Sequence, residues 1–402
     1  MASIRKRGHS YQITVSNGRR PDGSQIIETA TFTPESSMTE KQAEKALQRF
    51  VFEFESKVKS GKYLDGEKIT FASFTEVWFT DYAELQLAAS TLQLYRHLLQ
   101  AHIFPAIGHL KLSKIKPVHL NKLYHALATE RKDGKPGGYS PKTIKHVHTL
   151  ISGIYSAAVK WNITTENPAA RVEPPKQAPA RDKVKCFTLE QTAVFLALLD
   201  AGEQHIPLQL KLFFHMAIFC GMRRGELIAL EWSDLNFDQK SVSITKSTSV
   251  VNGKPLTKEP KTKNSVRTIS VPDSVLAIAR EYRKEQLQYR MSIGSQWEGS
   301  NYIFIQWNGR QMYPDTPYNT FKRIIRNYNA HTIKETEKLP DIPLHGLRHT
   351  SATLLISQNI DVRTVSSRLG HAQASTTMDI YSHALQRMDE KAADTLETLL
   401  AK

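Results

Sequence analysis

A proline-rich segment near the middle of the chain sets the strongest limit on its fold. The sequence Glu-Pro-Pro-Lys-Gln-Ala-Pro-Ala-Arg occupies positions 173–181. Proline has no backbone N–H and forces the residue before it into an extended conformation, so a helix cannot continue through this segment. The chain has 402 residues, which is also more than one hydrophobic core commonly holds together. The sequence therefore predicts a linker at residues 173–183 and separate domains on either side of it.

Residues 1–65 have the pattern of a small sheet followed by a helix. Tyr11, Ile13 and Val15 alternate with polar residues, which is the period of a half-buried strand. A polar turn at 17–23 and a second strand at 25–32 are expected to follow. From Thr39 onward, apolar residues recur at helical spacing, so we expect one helix beside this sheet.

The other two domains differ from each other in pattern. Residues 71–172 show helical periodicity, most clearly in the stretch that begins at Ser140. Residues 184–402 mix long helical stretches with two alternating segments, 241–245 and 266–271, that predict strands. Between these strands, Asn252-Gly253 predicts a tight turn. We therefore expect a multidomain protein that is mainly α-helical with small β elements, its third domain being mixed α+β.

The charge of the chain indicates a polyanionic partner. Lys and Arg number 54 against 39 Asp and Glu, which gives a formal net charge of +15. A surplus of this size favours nucleic acid, and a solvated basic surface is the alternative interpretation. Residues 71–183 carry much of the surplus, with 15 cationic side chains against 8 acidic ones.

Several classes of protein are excluded by simple features of the sequence. Two cysteines, Cys186 and Cys220, cannot build a disulfide framework or a four-cysteine zinc site. The basic N-terminus lacks the apolar run of a signal peptide. The most apolar stretch, residues 212–222, is shorter than the roughly 18 residues of a membrane span and fits a buried helix better. We expect a soluble, cytoplasmic protein that does not contact a membrane.

Short stretches of the third domain contain arginine, histidine and tyrosine where a hydrophobic core does not require them. Arg223 lies in an otherwise apolar helical pattern, where an unpaired charge would be costly. His345 and Arg348 are three residues apart and would share one face of a helix. His371 and Tyr381 follow. Taken singly, such residues have ordinary interpretations. Arg223 could form a salt bridge with Glu226, and Tyr381 could be a buried tyrosine of the core.

Taken together, the set resembles the tyrosine recombinases, the phage and conjugative-transposon integrases in particular. The matching sequences are GMRRGEL at 221–227, KTKNSVRTISVP at 261–272, HGLRHT at 345–350 and LGHAQASTTMDIYSH at 369–383. Residues 1–65 look like the arm-type DNA-binding domain of such integrases, residues 71–172 like their helical core-binding (SAM-like) domain, and residues 184–402 like their catalytic domain.

The resemblance implies a site-specific DNA recombinase that integrates or excises a mobile element without a cofactor. Tyr381 would be the nucleophile, because a 3′-phosphotyrosine intermediate conserves the energy of the phosphodiester until the strands are rejoined. Arg223 and Arg348 would bind the non-bridging oxygens of the phosphate, which a guanidinium can do bidentately. Glu226 would orient the cluster.

The proton transfers are assigned by the same resemblance. His345 and His371 would add hydrogen-bond donors, and His345 would accept the phenolic proton. Lys263 would protonate the leaving 5′-oxygen, because Lys-Asn-Ser-Val-Arg matches the lysine-to-arginine spacing of the family. Lys261 is the alternative general acid. No metal site is expected.

The resemblance also implies the partners. These are double-stranded DNA at attachment sites, three further copies of the chain in a homotetramer, and an excisionase or host DNA-bending factor. The residues expected to bind DNA are Arg5, Lys6, Arg19, Arg20, Lys142, Lys145, Arg224 and Lys261. The alternative functions are a type IB topoisomerase-like nicking-closing enzyme and a non-catalytic DNA-binding regulator.

Two further features qualify the resemblance. Cys220, Gly346 and Arg368 depart from the commonest residues of the family, and we expect them to affect local packing and not activity.

Beyond Tyr381, apolar residues from Leu385 to Leu400 recur at helical spacing. In this family such a tail docks on a neighbouring protomer, and packing on its own domain is the alternative.

Overall fold

The chain is divided into two compact units, Met1–Pro179 and Ala180–Lys402. The structure, a computed structural model, describes residues 2–19, 25–35, 38–59, 68–131, 133–176, 185–201, 205–259, 266–299, 301–370, 397 and 400. The division falls inside the predicted linker at 173–183. The other domain boundaries stay predictions.

The N-terminal unit begins with a three-stranded antiparallel sheet in the order β1-β2-β3. The strands are β1 (Ser3–Arg7), β2 (Ser10–Arg19) and β3 (Gln25–Phe32), and helix α1 (Glu40–Lys59) follows. Ile13 and Val15 are buried against apolar side chains of α1 such as Leu47 and Phe54. The sheet and helix therefore form one small core, as the sequence indicates.

Two details of this sheet differ from the prediction. Residues 17–19 continue β2 rather than forming a turn, because Arg19 pairs with Gln25 beyond an irregularity that begins at Ser16. Strand β1 was not predicted. Its side chains are all exposed, so the sequence has no alternation of apolar and polar residues there.

The rest of the N-terminal unit is helical. Its α-helices are α2 (Phe71–Trp78), α3 (Glu84–Gln86), α4 (Ala89–Leu98), α5 (Pro117–Thr129) and α6 (Pro141–Lys160). Wider π-helical turns, Phe79–Ala83 and Leu99–Gly108, extend α2 and α4. The side chain of Ser140 caps α6 by accepting a hydrogen bond from the backbone N–H of Thr143 at 3.2 Å. These helices share a core that includes Phe71, Phe74 and Tyr155.

The C-terminal unit packs around one helix that is buried on every side. The α-helices of this unit are α7 (Leu189–Asp200), α8 (Leu208–Phe219), α9 (Arg224–Ile228), α10 (Asp273–Ile293), α11 (Asp315–His331), α12 (Gly346–Ser357) and α13 (Val362–Leu369). Helix α8 contacts both α10 and α12. This position explains the apolar stretch from residue 212. Within the described residues, no helix has both the length and the apolar character that spanning a membrane would need.

The strands of the C-terminal unit form a small sheet and a separate hairpin. Strands β4 (Leu235–Asn236), β5 (Ser241–Ile244) and β8 (Arg267–Ser270) pair antiparallel in that order. Strands β6 (Ser247–Val251) and β7 (Lys254–Lys258) form the hairpin. Its turn residues, Asn252 and Gly253, have φ angles of +50° and +74°, so the predicted tight turn is confirmed. The pairing of Ile244 with Arg267 places Arg267 at the start of β8.

Candidate active site

Arg223 lies in a tight connection between α8 and α9. Gly221 has a φ of +60°, and a Cβ there would lie 2.6 Å from Cδ2 of Leu369, so the turn requires glycine on both counts. Arg223 itself is extended and precedes the first residue of α9. The turn thus places its side chain beside the C-terminal end of α13, where Nη2 of Arg223 donates to the carbonyl of Gly370 at 2.9 Å.

Glu226 connects Arg223 to a second arginine, Arg267. Oε1 of Glu226 accepts from Nη1 of Arg223 at 2.7 Å, and Oε2 accepts from the backbone N–H of Arg223 at 2.8 Å. The same two oxygens accept from Nη1 and Nη2 of Arg267 at 3.1 and 2.8 Å. Burial alone would raise the pKa of the Glu226 carboxyl, but Arg267 and then Arg223 outweigh it and hold that pKa below its ordinary value. Glu226 therefore stays ionised, and it holds Arg223 by hydrogen bonds to both its guanidinium and its backbone N–H.

The sequence predicts no role for Arg267 beyond its spacing from Lys263. Its side chain is 7% exposed, and its Nε donates to the carbonyl of Arg368 at 2.8 Å. The sequence does contain a signal for this position. The alternation of β8 puts Arg267 on the same face as the buried residues Ile269 and Val271. A cation on the buried face of a strand predicts a buried partner.

Arg348 is the third arginine of this group. It lies on α12 and is 2% exposed. Its Nη1 donates to the carbonyl of Gly221 at 2.8 Å, and its Nη2 donates to that of Leu369 at 2.6 Å. We call Arg223, Glu226, Arg267 and Arg348 the arginine cluster.

The arginine cluster surrounds the end of α13. The carbonyls of Arg368, Leu369 and Gly370 accept from Arg267, Arg348 and Arg223, respectively. The last carbonyls of a helix have no partner within the helix and carry partial negative charge, so cationic donors are favourable there. Three arginines are thereby held close together, which concentrates positive charge beside Gly370.

Two histidines lie near Arg348 in the sequence, His345 three residues before it and His349 directly after it. His345 precedes α12, and its ring is 4.8 Å from that of His349, centroid to centroid and edge to face. Although His345 is exposed as a residue, partial burial of its ring lowers its pKa, and the charges of Arg348 and Arg223 lower it further. Burial, together with His345 and Arg348, lowers the pKa of His349 to about 4. Both rings are therefore neutral near pH 7.

The structure brings Arg223, His345 and Arg348 together, but not every predicted residue can be placed. Lys263, His371 and Tyr381 lie outside the described residues, as do Lys261 and Arg20. The described range 301–370 ends at Gly370, the residue directly before His371 in the sequence. Among the residues that are described, no three His, Cys, Asp or Glu side chains are grouped so that they could hold a metal ion.

Of the residues predicted to bind DNA, Arg224 is the first residue of α9, and the others that the structure describes belong to the N-terminal unit. Nη1 of Arg224 pairs with Asp315 at 3.2 Å, and the side chain of Arg224 is 45% exposed. Arg5 and Lys6 are exposed on β1, and Arg19 belongs to β2. Lys142 and Lys145 are exposed on α6, opposite its buried face.

The three departures from the family pattern have local structural explanations. Nη2 of Arg368 donates to the carbonyls of Phe219 and Ser270 at 2.8 and 3.1 Å, so it ties α13 to the ends of α8 and β8. Cys220 is fully buried. A Cβ on Gly346 would lie 2.7 Å from the carbonyl oxygen of Lys185, which leaves no room for a side chain.

Two family models match the chain. The model of the phage integrase family matches residues 187–388, and that of the phage integrase N-terminal SAM-like domain matches residues 70–128. The first match covers the arginine cluster and His345. It also covers Lys263, His371 and Tyr381.

Individual proteins and structures agree with these matches. The ICEBs1 integrase of Bacillus subtilis is 28% identical over 393 residues, which cover 97% of each chain. The structure of the Tn1549 transposon integrase in complex with a circular intermediate DNA has a TM-score of 0.64 at 17% identity, over 81% of this chain and 100% of that one. A lambda integrase tetramer bound to a Holliday junction has a TM-score of 0.54 at 16% identity, over 92% and 96%. Fold, site and family model agree, and this chain belongs to the phage integrase family of tyrosine recombinases, which are site-specific recombinases.

Proposed function

We propose that this protein integrates and excises a mobile element by cleaving and rejoining DNA through Tyr381, without a cofactor. The observation that carries the proposal is the convergence of Arg223 and Arg348 on the carbonyls of Gly370 and Leu369. Two guanidinium groups are thereby held near His345 and at Gly370, the residue that precedes His371 in the sequence. A phosphodiester bound among these groups would meet donors suited to its non-bridging oxygens.

The cleavage step follows from the charges of the groups involved. The phenolic oxygen of Tyr381 attacks phosphorus, and the bond from phosphorus to the 5′-oxygen breaks. The pentacoordinate transition state gains negative charge, which Arg223 and Arg348 stabilise. One such preorganised donor contributes roughly 3–4 kcal/mol.

Two protons move during cleavage. His345, neutral near pH 7 because its pKa is lowered, accepts the phenolic proton. Lys263 protonates the 5′-oxygen, with Lys261 as the alternative donor, and His371 donates a hydrogen bond to the phosphate. Attack by a 5′-hydroxyl of the partner strand reverses these steps and reseals the DNA.

Double-stranded DNA at attachment sites is the proposed substrate, so the protein acts in the cytoplasm. Exposed cations on both parts of the N-terminal unit support this proposal: Arg5 and Lys6 on β1, and Lys142 and Lys145 on α6. Contacts to phosphate dominate such binding, and the affinity should therefore fall steeply with salt. Arg19, Arg20 and Arg224 would add backbone contacts, and an excisionase or host DNA-bending factor would set the direction of the reaction.

Assembly into a homotetramer is supported by an apolar groove in the C-terminal unit. The groove has a volume of about 590 Å³ and is lined by residues of α7, α8, α12 and α13, including Leu196, Phe219 and Leu355. At its rim, Leu189 and Ile360 are 59% and 40% exposed. We propose that it receives the apolar side of residues 385–400 from a second copy of the chain.

A single substitution tests the chemistry. Tyr381→Phe removes the nucleophilic oxygen, so we expect loss of covalent complexes with a nicked attachment-site DNA and unchanged binding of that DNA. The measurement is a denaturing gel of the protein–DNA complex, with Tyr313→Phe, an exposed tyrosine of the same unit, as the matched control. Wild-type activity should persist in EDTA. Covalent complexes formed by the Tyr381→Phe protein, or loss of wild-type cleavage in EDTA, would contradict the proposal.

A further inference from the structure

Arg267 links Glu226 to the end of α13, and its hydrogen bonds require a specific arrangement of donors and not only a positive charge. Nη1 and Nη2 fork onto the two oxygens of Glu226, while Nε donates to the carbonyl of Arg368. A lysine ammonium could not reproduce this planar arrangement of donors. Both partners in the ion pair are buried, with 7% and 3% of their side chains exposed.

Arg223 depends on that ion pair for its orientation. The side chain of Arg223 is 36% exposed, and Glu226 holds it through both its guanidinium and its backbone N–H. A long side chain at the surface samples many rotamers unless a fixed partner restricts it. Glu226 is such a partner, and its two carboxylate oxygens are bound in turn by Arg267.

Gly370 gives an independent indication that Arg267 is held tightly in place. This residue ends α13 with a φ of +67°, and a Cβ there would lie 2.8 Å from Nη1 and 3.1 Å from Cζ of Arg267. The chain therefore passes against the guanidinium without room for a methyl group. The carbonyl of the same residue accepts from Arg223.

We propose that Arg267 is a positioning residue for strand cleavage. It fixes Glu226 against the end of α13, and Glu226 in turn aims the guanidinium of Arg223 at the scissile phosphate. Arg267 does not itself contact the reacting atoms. This inference rests on the proposed function, in which Arg223 neutralises charge on the non-bridging oxygens.

A change in the charge of the scissile phosphate tests the inference. Single-turnover cleavage is measured on two nicked DNAs, one with a phosphodiester and one with a neutral methylphosphonate at the scissile position. Because misplacement of a catalytic group by about 1 Å costs on the order of 100-fold, Arg267→Met should cleave the phosphodiester about 100-fold more slowly. On the methylphosphonate, which lacks the charge that Arg223 neutralises, its rate should approach that of the wild type.

Controls separate this role from a general loss of structure. Arg310→Met removes an arginine that pairs with Glu298 at the surface, and it should leave both rates unchanged. Equal losses of Arg267→Met on the two DNAs, or no loss on either, would overturn the inference. If wild-type protein forms no covalent complex with either DNA, the proposed function fails instead.

A second variant serves in case Arg267→Met does not fold. Arg267→Lys keeps a positive charge opposite Glu226 but lacks the fork, so it should show the same selective loss, of at least about 10-fold. An Arg267→Lys protein with wild-type rates on the phosphodiester would show that charge suffices and would refute the positioning role.

Discussion

Glu226 is a buried carboxylate that faces two arginines, so its ionisation sets the net charge of the arginine cluster. With Glu226 ionised, the cluster carries three positive charges and one negative charge, a balance that can still attract a phosphate. Burying such charges is costly unless each is paired and hydrogen-bonded. Here the carboxylate and the helix-end carbonyls supply those partners. The site can therefore be organised before DNA binds, and less reorganisation is needed during cleavage.

His349 should make the stability of the C-terminal unit depend on pH. The pKa of its ring is about 4 in the folded chain and near 6.5 when unfolded. Between these values the unfolded chain binds more protons, so the stability contributed by neutral His349 is present above pH 6.5 and is lost as the pH falls toward 4. Allowing for the partial exposure of the ring, we expect a loss of roughly 1 kcal/mol at pH 5.

Thermal unfolding at pH 7.5 and pH 5.0 measures this effect. The melting temperature of His349→Gln should fall less between the two pH values than that of the wild type. His331→Gln, which changes an exposed histidine of α11, should behave like the wild type. If His349→Gln and the wild type lose the same number of degrees, His349 does not carry the pH dependence.

Individual site residues can be recognised from the sequence where a residue type is unusual for its surroundings. Arg223 and Arg348 stand out because arginine is rare in buried segments, and both belong to the cluster. Arg267 does not stand out in the same way, because a cation in a lysine-rich segment is ordinarily exposed to solvent. Its pairing with Glu226, 41 positions away, depends on the tertiary fold and has no local signal apart from the alternation of β8.

In helix α12, the residue that fits at position 346 is determined by neighbouring atoms of the fold rather than by helix propensity. Glycine is a poor helix former, and alanine in its place helps a helix by up to about 1 kcal/mol, a value for the helix interior that is an upper bound for Gly346, the first residue of α12. However, the Cβ would lie 2.7 Å from the backbone oxygen of Lys185 and 3.0 Å from Cδ1 of Ile342. Overpacking against such atoms costs typically 1–3 kcal/mol. We therefore expect Gly346→Ala to destabilise the protein by about 1 kcal/mol.

Gly153→Ala is the matched control for this substitution. Gly153 lies within α6, and nothing lies within 4 Å of a Cβ built there. The same change should stabilise that helix by up to about 1 kcal/mol. Urea unfolding of both variants gives the comparison. A stabilised Gly346→Ala protein would mean that the chain at Lys185 moves aside without cost.

Elements were predictable where burial alternates along the sequence. Strand β5 and the Asn252-Gly253 turn follow from local patterns, and the helical periodicity that begins at Ser140 corresponds to α6. Strand β1 could not be found in the same way, because all of its side chains are exposed. Backbone pairing with β2 holds it in the sheet. Such pairing does not require a periodic pattern of apolar side chains.

For the whole molecule, the net charge and the two site arginines, Arg223 and Arg348, indicate different properties. The surplus of +15 indicates a nucleic-acid partner but does not distinguish a binding protein from an enzyme. That distinction comes from Arg223 and Arg348, which lie far apart in sequence and meet at the end of α13. Assembly is a third property, and we propose that it depends on the apolar groove rather than on charge.

The apolar groove should control assembly on DNA. Leu189→Glu with Ile360→Glu places two charges at its exposed rim, where burial by a docked tail would leave them unpaired and costly. We expect this groove variant to bind a single half-site normally but to form complexes of one or two protomers, instead of four, on paired attachment sites. Leu287→Glu, at an exposed apolar residue of α10, should assemble like the wild type.

Mixing variants distinguishes docking on a second copy from docking on the same chain. A tail variant, Leu396→Glu with Leu399→Glu, should fail to assemble in the same way as the groove variant. A mixture of the two proteins contains intact tails on the groove variant and intact grooves on the tail variant. If the tail of one protomer enters the groove of another, the mixture should therefore form more dimeric complexes than either variant alone. If each tail packs on its own groove, both proteins have a defective contact and mixing restores nothing. Light scattering of the complexes on paired DNA sites measures the difference, and a mixture no larger than its components would exclude docking between protomers.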